Sequence, residues 1–158
     1  MTGRRILKIV SGGQTGVDRA ALDFAIAEGL DFGGFVPRGR LDELGVIPTQ
    51  YSRLTEAPAE EPAVRTSLNV CGSDGTVLFS HGEPAGGTAL TQQLAAALQR
   101  PLIHIDLNRL SPSQGAIALA EWIERHQIRV LNVAGPRRSE DESAYDETFA
   151  ILRLALSS

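Results

Sequence analysis

The apolar run Ile6-Leu-Lys-Ile-Val10 stops abruptly at Ser11-Gly-Gly-Gln-Thr-Gly16, and from Val17 to Glu28 apolar positions recur at helical spacing. A strand that empties into a glycine turn and then a helix is the opening unit of an α/β domain. Val17, Ala21, Phe24, Ala25 and the aliphatic stem of Glu28 form the inward stripe, and Gly29 stands where a left-handed residue would end the helix.

The rest of the chain repeats that alternation. Gly34-Phe-Val36 reads as a short second strand, and the four prolines between Pro37 and Pro62 make that stretch a long irregular loop. Thr76 to Phe79 is a third strand, followed by the loop His81 to Gly87 and a helix from about Ala89 to Gln99. Leu102 to Ile105 is a fourth strand. Ser111 caps and Pro112 opens a helix to about His126, with Ile117, Ala120, Trp122 and Ile123 on its buried side. Val130 to Val133 is a fifth strand, and Ser139-Glu-Asp-Glu142 has capping-box spacing ahead of a last helix carrying Tyr145, Phe149, Leu152 and Leu156. Near-continuously apolar strands alternating with helices predict a mostly parallel sheet covered on both faces. At 158 residues the expectation is a single domain, 1–158.

Composition narrows the function. A net charge of −4 and a pI near 5.4 argue against a nucleic-acid partner, because phosphate backbones are held by basic surfaces. No apolar run is long enough to cross a bilayer, and Met1 to Arg5 lacks the apolar segment of an export signal. Cys71 is the one cysteine, which agrees with a reducing cytoplasm, and after Val70 it reads as a buried, inert thiol. His81, His104 and His126 are scattered, so no zinc-ligand spacing is present.

In open parallel sheets ligands bind beyond the carboxyl ends of the strands. Four loops there are unusual. Ser11 to Gly16 can bring backbone N–H groups close to an anion at a helix N-terminus, with Gly12, Gly13, Thr15 and Gly16 as contacts. Gly86-Gly-Thr88 repeats that logic after the third strand. Pro37-Arg-Gly-Arg40 and Gly135-Pro-Arg-Arg138 supply guanidinium forks suited to phosphate, with Ser139 read as a helix cap. Arg65 and Asn69 share a helix face and could reach the same place. Ser73-Asp-Gly-Thr76 sits at the entry of the third strand, at the opposite end, and reads plainly as a turn.

Familiar nucleotide sites do not fit. The only lysine is Lys8, so there is no phosphate-binding P-loop, and the second strand ends in Val36-Pro37-Arg38 where a nicotinamide site would carry an acidic residue.

Taken in order, Gly12 to Asp23, Gly34 to Gly39, Arg65-Thr with Asn69-Val, Ser73 to Thr76, Gly86-Gly-Thr with Leu90-Thr91, and Leu131 to Arg137 resemble the molybdenum cofactor carrier proteins. These belong to a wider Rossmann-like group that includes the YpsA-like, lysine-decarboxylase-like and "lonely guy" phosphoribohydrolase proteins. The resemblance spans nearly the whole chain. It implies a Rossmann-like three-layer sandwich, a homo-oligomer, and a pocket for molybdenum cofactor (molybdopterin) or a nucleotide. The site set it points to is Gly12, Gly13, Gln14, Thr15, Gly16, Arg38, Ser73, Asp74, Gly86, Gly87, Thr88 and Arg137. The phosphoribohydrolases carry a glutamate three residues after the threonine of their glycine loop; here Thr91 stands at that offset from Thr88, followed by Gln92 and Gln93. That departure favours a carrier of a small phosphorylated ligand over an enzyme. The alternatives are a nucleotide-cleaving enzyme using Asp18 or Asp74 as acid or base, and a nucleotide sensor with a protein partner.

Overall fold

A computed structural model describes residues 6–157, so the expectation about Met1 to Arg5 concerns residues outside that span. The elements in chain order are β1 (Lys8–Ser11), α1 (Val17–Glu28), β2 (Asp31–Gly33), β3 (Phe35–Val36), β4 (Leu41–Asp42), β5 (Gly45–Val46), β6 (Thr55–Glu56), α2 (Pro62–Cys71), β7 (Gly75–Ser80), α3 (Gly86–Ala97), β8 (Leu102–Asp106), α4 (Pro112–His126), β9 (Val130–Ala134) and α5 (Ala144–Leu156). Five strands form one parallel sheet in the order β2-β1-β9-β7-β8. Ile9 lies opposite both Phe32 and Leu131, and Val77 opposite both Val133 and Ile103. Helices α1 and α4 flank α5 in one layer, and α2 packs with α3 in another. This is the Rossmann-like α/β arrangement. Among the described residues no helix is long and apolar enough to cross a membrane.

β7 is buried along its whole length, which is why Val77-Leu-Phe79 reads as an unbroken apolar run. Ile9, Val77, Phe79, Leu131 and Val133 meet Phe24, Leu119, Ile151 and Leu152 from the helices in the main core. Helix α1 ends at Gly29 with φ 70°, and α4 starts with a full capping box, Ser111 and Gln114 each accepting the other's backbone N–H.

Six expectations need correction. The strand beside β1 is Asp31–Gly33; Phe35–Val36 turns away to pair with β6, the break falling at Gly34. The proline-rich stretch contains the β4–β5 hairpin and β6, and Pro62 opens α2. On α4 the inward face is Gly115, Ala116, Leu119, Trp122 and Ile123, while Ile117 and Ala120 are exposed. Small residues that let a helix approach closely do not register in an apolar count. The same applies at α1, where the inward stripe stops at Ala25 and Glu28 is exposed. Finally, Ser139 to Glu142 is a turn, and α5 begins at Ala144 because the Ser139 hydroxyl is engaged by Glu43. Cys71, at the end of α2, is exposed.

Candidate functional site

The carboxyl ends of β1, β7 and β9 open on a cleft of about 410 Å³, within the size range of small-molecule sites. Its floor is Ala134 and Gly135 at the end of β9. Its walls are Gln14 and Asp18 from the first glycine loop and α1, Arg65 and Thr66 from α2, Gly86, Gly87, Thr88 and Thr91 from α3, and Arg137 and Glu140 from the loop after β9. A small recess beneath it reaches Gly12, Asn69 and Asn132.

Two features give the cleft its anion-seeking character. Helix α3 starts with Gly86 and Gly87, and Ala85 at its N-cap position has no side-chain acceptor for the first N–H groups. Across from it, Arg65 has a mostly buried side chain, 18% exposed, whose Nε finds no hydrogen-bond partner among the described residues. The Arg65 guanidinium rests against the backbone of Gly12, where a Cβ would lie 2.0 Å from Nη1. Glycine serves there for close approach.

Asp18 opposes these positive groups. Its Oδ2 accepts from Gln14 N at 3.2 Å and lies 4.0 Å from Arg65 Nη1. Burial pushes its pKa up to about 6 even though Arg65 and the Gln14 N–H pull the other way. A carboxyl raised in the folded state from 3.8 to about 6 adds relative stability below the lower value that is lost as pH rises through the higher one. Asp18→Asn is therefore expected to be more stable than the parent at pH 8, by up to about 3 kcal/mol. The two should converge near pH 4, as paired urea titrations at both pH values would show.

Of the residues singled out in the sequence, Gln14, Gly86, Gly87, Thr88 and Arg137 line the cleft and Gly12 lines the recess. Gly13 backs onto Val36, Ile47 and Leu54 instead, and Gly16, with φ 79°, lies against the backbone of Pro136 to Arg138. Thr15 donates to Glu43 and accepts from Arg138 N. Arg38 points to the surface, pairing with Glu60 at 3.1 Å, and Pro37 takes its place in the wall. Ser73 and Asp74 lie at the far end of the sheet: Ser73 caps α2 through the Asn69 and Val70 carbonyls, and Asp74 accepts from Arg129 N and Val130 N at the start of β9.

Arg65, foreseen from its helical spacing, and Asp18 both reach the cleft. Thr66 and Glu140 carry no sequence signal beyond their neighbours, although Glu140 stands three residues after Arg137 and pairs with it at 3.3 Å. Asn69 has a supporting role: its amide grips Phe35 N and O at 2.7 and 3.0 Å, holding β3 beside α2. His81 braces the rim, with Asp141 at 2.6 Å on Nδ1 and Glu147 at 3.1 Å on Nε2, and the Asp141 bond above all holds its pKa above the usual value.

Residues 9–156 match the model of the circularly permutated YpsA SLOG family. The chain belongs to that family. A crystal structure at 1.45 Å of a protein from Syntrophus aciditrophicus SB, provisionally named a molybdenum carrier protein, is 46% identical and has a TM-score of 0.96, covering 99% of this chain and 98% of its own. No curated protein matches the chain significantly. At that identity the likeness to this SLOG-family relative extends along the sequence as well as the fold.

Proposed function

We propose that this SLOG-family protein is a non-catalytic carrier whose cleft holds a phosphate-bearing ligand, either a pterin of the molybdenum cofactor type or a nucleotide-like molecule. The observation that carries this reading is the uncapped start of α3 facing the incompletely partnered Arg65. In it, the N–H groups of Gly86 and Gly87 cradle the phosphate, the Thr88 N–H being held by Ala85 O, while Arg65 and Arg137 neutralise it and Gln14 and Thr66 border the rest of the ligand. The provisional name of the Syntrophus relative, a molybdenum carrier protein, favours a molybdenum-bearing ligand, of which the pterin cofactor is one form. Among the described residues no group of three or more His, Cys, Asp or Glu is arranged to hold a metal. A molybdenum atom would accordingly travel as part of the ligand.

Thermal denaturation tests the reading directly. A ligand present at a hundred times its Kd should add about 2.7 kcal/mol, a rise of several degrees in Tm. If pterin phosphate, molybdate and nucleoside monophosphates at millimolar concentration all leave Tm unmoved, the carrier reading fails.

One observation favours an enzyme as second reading: a buried carboxyl in the cleft, Asp18, poised near pH 6. Asp74 drops out of that role because its carboxylate is bound to the N–H groups that open β9. Release of base or phosphate from nucleoside monophosphates, abolished in Asp18→Asn, would place the enzyme ahead.

A further inference from the structure

The β4–β5 hairpin is attached to the rim of the cleft in an unusual way. Leu44 and Val46, its large apolar side chains, are 79% and 68% exposed, so burial of apolar surface does not hold its tip down. Polar contacts do. At its base Asp42 pairs with Arg19 at 2.6 Å, both side chains largely buried, and Gln14 Nε2 donates to Leu41 O. At the tip the Glu43 carboxylate fits into a set of donors from two cleft loops. The hydroxyls of Thr15 and Ser139 donate to it, Ser139 N donates at 3.2 Å, and Arg137 Nη1 lies 3.9 Å away. Thr15 Oγ1 is itself fixed by the N–H of Arg138, which leaves its proton for Glu43. The Ser139 and Thr15 hydroxyls hold Glu43 below the usual carboxylate range.

Two hydroxyls, a backbone N–H and a guanidinium converging on two oxygens make a coordination set that also suits a tetrahedral oxyanion. The donors belong to the first glycine loop and the loop after β9, and Arg137 also lines the cleft. A shallow surface groove lined by Glu43, Leu44, Arg138, Ser139, Glu140 and Glu142 adjoins the cleft at Glu140. We propose that Glu43 is a resident carboxylate occupying an oxyanion subsite, which a phosphate, free or carried by the cleft's ligand, takes over when the Glu43 side chain swings out. The Asp42–Arg19 pair stays clasped, so the exchange needs only that side chain and the hairpin tip to move. The inference builds on the proposed anion-binding cleft, and the donor set at Glu43 shares only Arg137 with the one at Arg65 and α3.

An internal competitor scales apparent affinity by the fraction of time it leaves the site open, so a side chain bound nine-tenths of the time costs about tenfold. Calorimetric titration of the full chain with inorganic phosphate should therefore show Glu43→Ala binding about tenfold more tightly than the parent. Glu142→Ala, which removes a neighbouring negative charge without emptying the subsite, should stay within about twofold of the parent. Adding Ser139→Ala to Glu43→Ala should erase the gain. Equal affinity in the parent and Glu43→Ala, an equal gain in Glu142→Ala, or a gain that survives loss of Ser139 would each overturn the proposal. Glu43→Ser, which also empties the subsite and suits a hairpin tip, answers the same question if Glu43→Ala does not fold. Adenosine monophosphate titrated into the parent and Glu43→Ala separates the readings. Nucleotide binding with no phosphate gain in Glu43→Ala sinks the subsite and leaves the cleft reading standing; a phosphate gain in a protein whose Tm is moved by none of nucleotide, pterin phosphate and molybdate does the reverse. A gain for nucleotide as well as phosphate assigns the subsite to a group on the ligand, and a gain for phosphate alone assigns it to a free oxyanion.

Discussion

Replacing Arg65 with alanine is expected to weaken binding of a phosphate-bearing ligand by about 100-fold, the effect of losing a charge-assisted, two-pronged contact in a partly buried site. Within the chain this guanidinium has few partners: Asp18 lies 4.0 Å from Nη1, and Nε has no hydrogen-bond partner among the described residues. Such an arrangement is costly unless something else completes it. Arg65→Lys should recover only part of the affinity, because an ammonium keeps the charge and loses the fork. Gly12→Ala offers a second route to the same effect. Its Cβ would lie 2.0 Å from Arg65 Nη1, the free end of a flexible side chain, so the guanidinium should move aside while the fold survives. Unchanged affinity in both Arg65→Ala and Gly12→Ala would remove Arg65 from the site. Stability provides a check on the electrostatics. Without Arg65, Asp18 loses the charge that most opposes its burial, so Arg65→Ala should be destabilised more at pH 8 than at pH 5, where the carboxyl can take up a proton.

How much of this was legible in the sequence depends on the range of the interaction. The end of α1 at Gly29 and the N-cap at Ser111 are local features, and each appears where the sequence places it. Gly86 to Thr88 and Arg137 come to the cleft because strand-end loops in a parallel sheet converge on one side by topology alone. Arg38 fails for the opposite reason. It follows the kinked chain at Gly34 rather than a sheet strand, and that kink directs it to Glu60 at the surface. Ser139 has cap spacing, but a glutamate 96 residues earlier in the chain claims its hydroxyl. No local pattern carries that information. Asp74 closes a backbone turn at the entry of β7, as the residues alone indicate, and only the resemblance brings it into the site set.

Gly34→Ala is expected to cost more stability than Arg65→Ala, Gly12→Ala or Glu43→Ala, above about 4 kcal/mol, a large share of the roughly 5–15 kcal/mol typical of a folded domain. Gly34 is where the chain leaves the sheet after β2 and crosses the end of β1, with φ 131°, in backbone territory that L side chains rarely enter. A Cβ there would lie 2.1 Å from Ser11 O and 2.8 Å from Ser11 N. Unlike the guanidinium beside Gly12, these are backbone atoms at the end of a central strand and cannot step aside. Relief would have to come from pulling β3 away. That would strain the bond from Thr55 N to Gly34 O, 2.8 Å long, and the grip of Asn69 on Phe35. Gly29→Ala supplies the comparison, since φ is 70° and nothing lies within 4 Å of the added carbon. Only the left-handed backbone penalty of about 1 kcal/mol should apply. Urea denaturation of the two variants against the parent separates steric from conformational cost. Similar small losses in both would mean that the crossing at Ser11 is loose. Because Ser11 also fixes the glycine loop, through Gly13 N on its hydroxyl at 3.1 Å, whatever part of Gly34→Ala stays folded should show weakened ligand binding as well. The same close crossing that routes the chain out of the sheet also holds the loop at the mouth of the cleft.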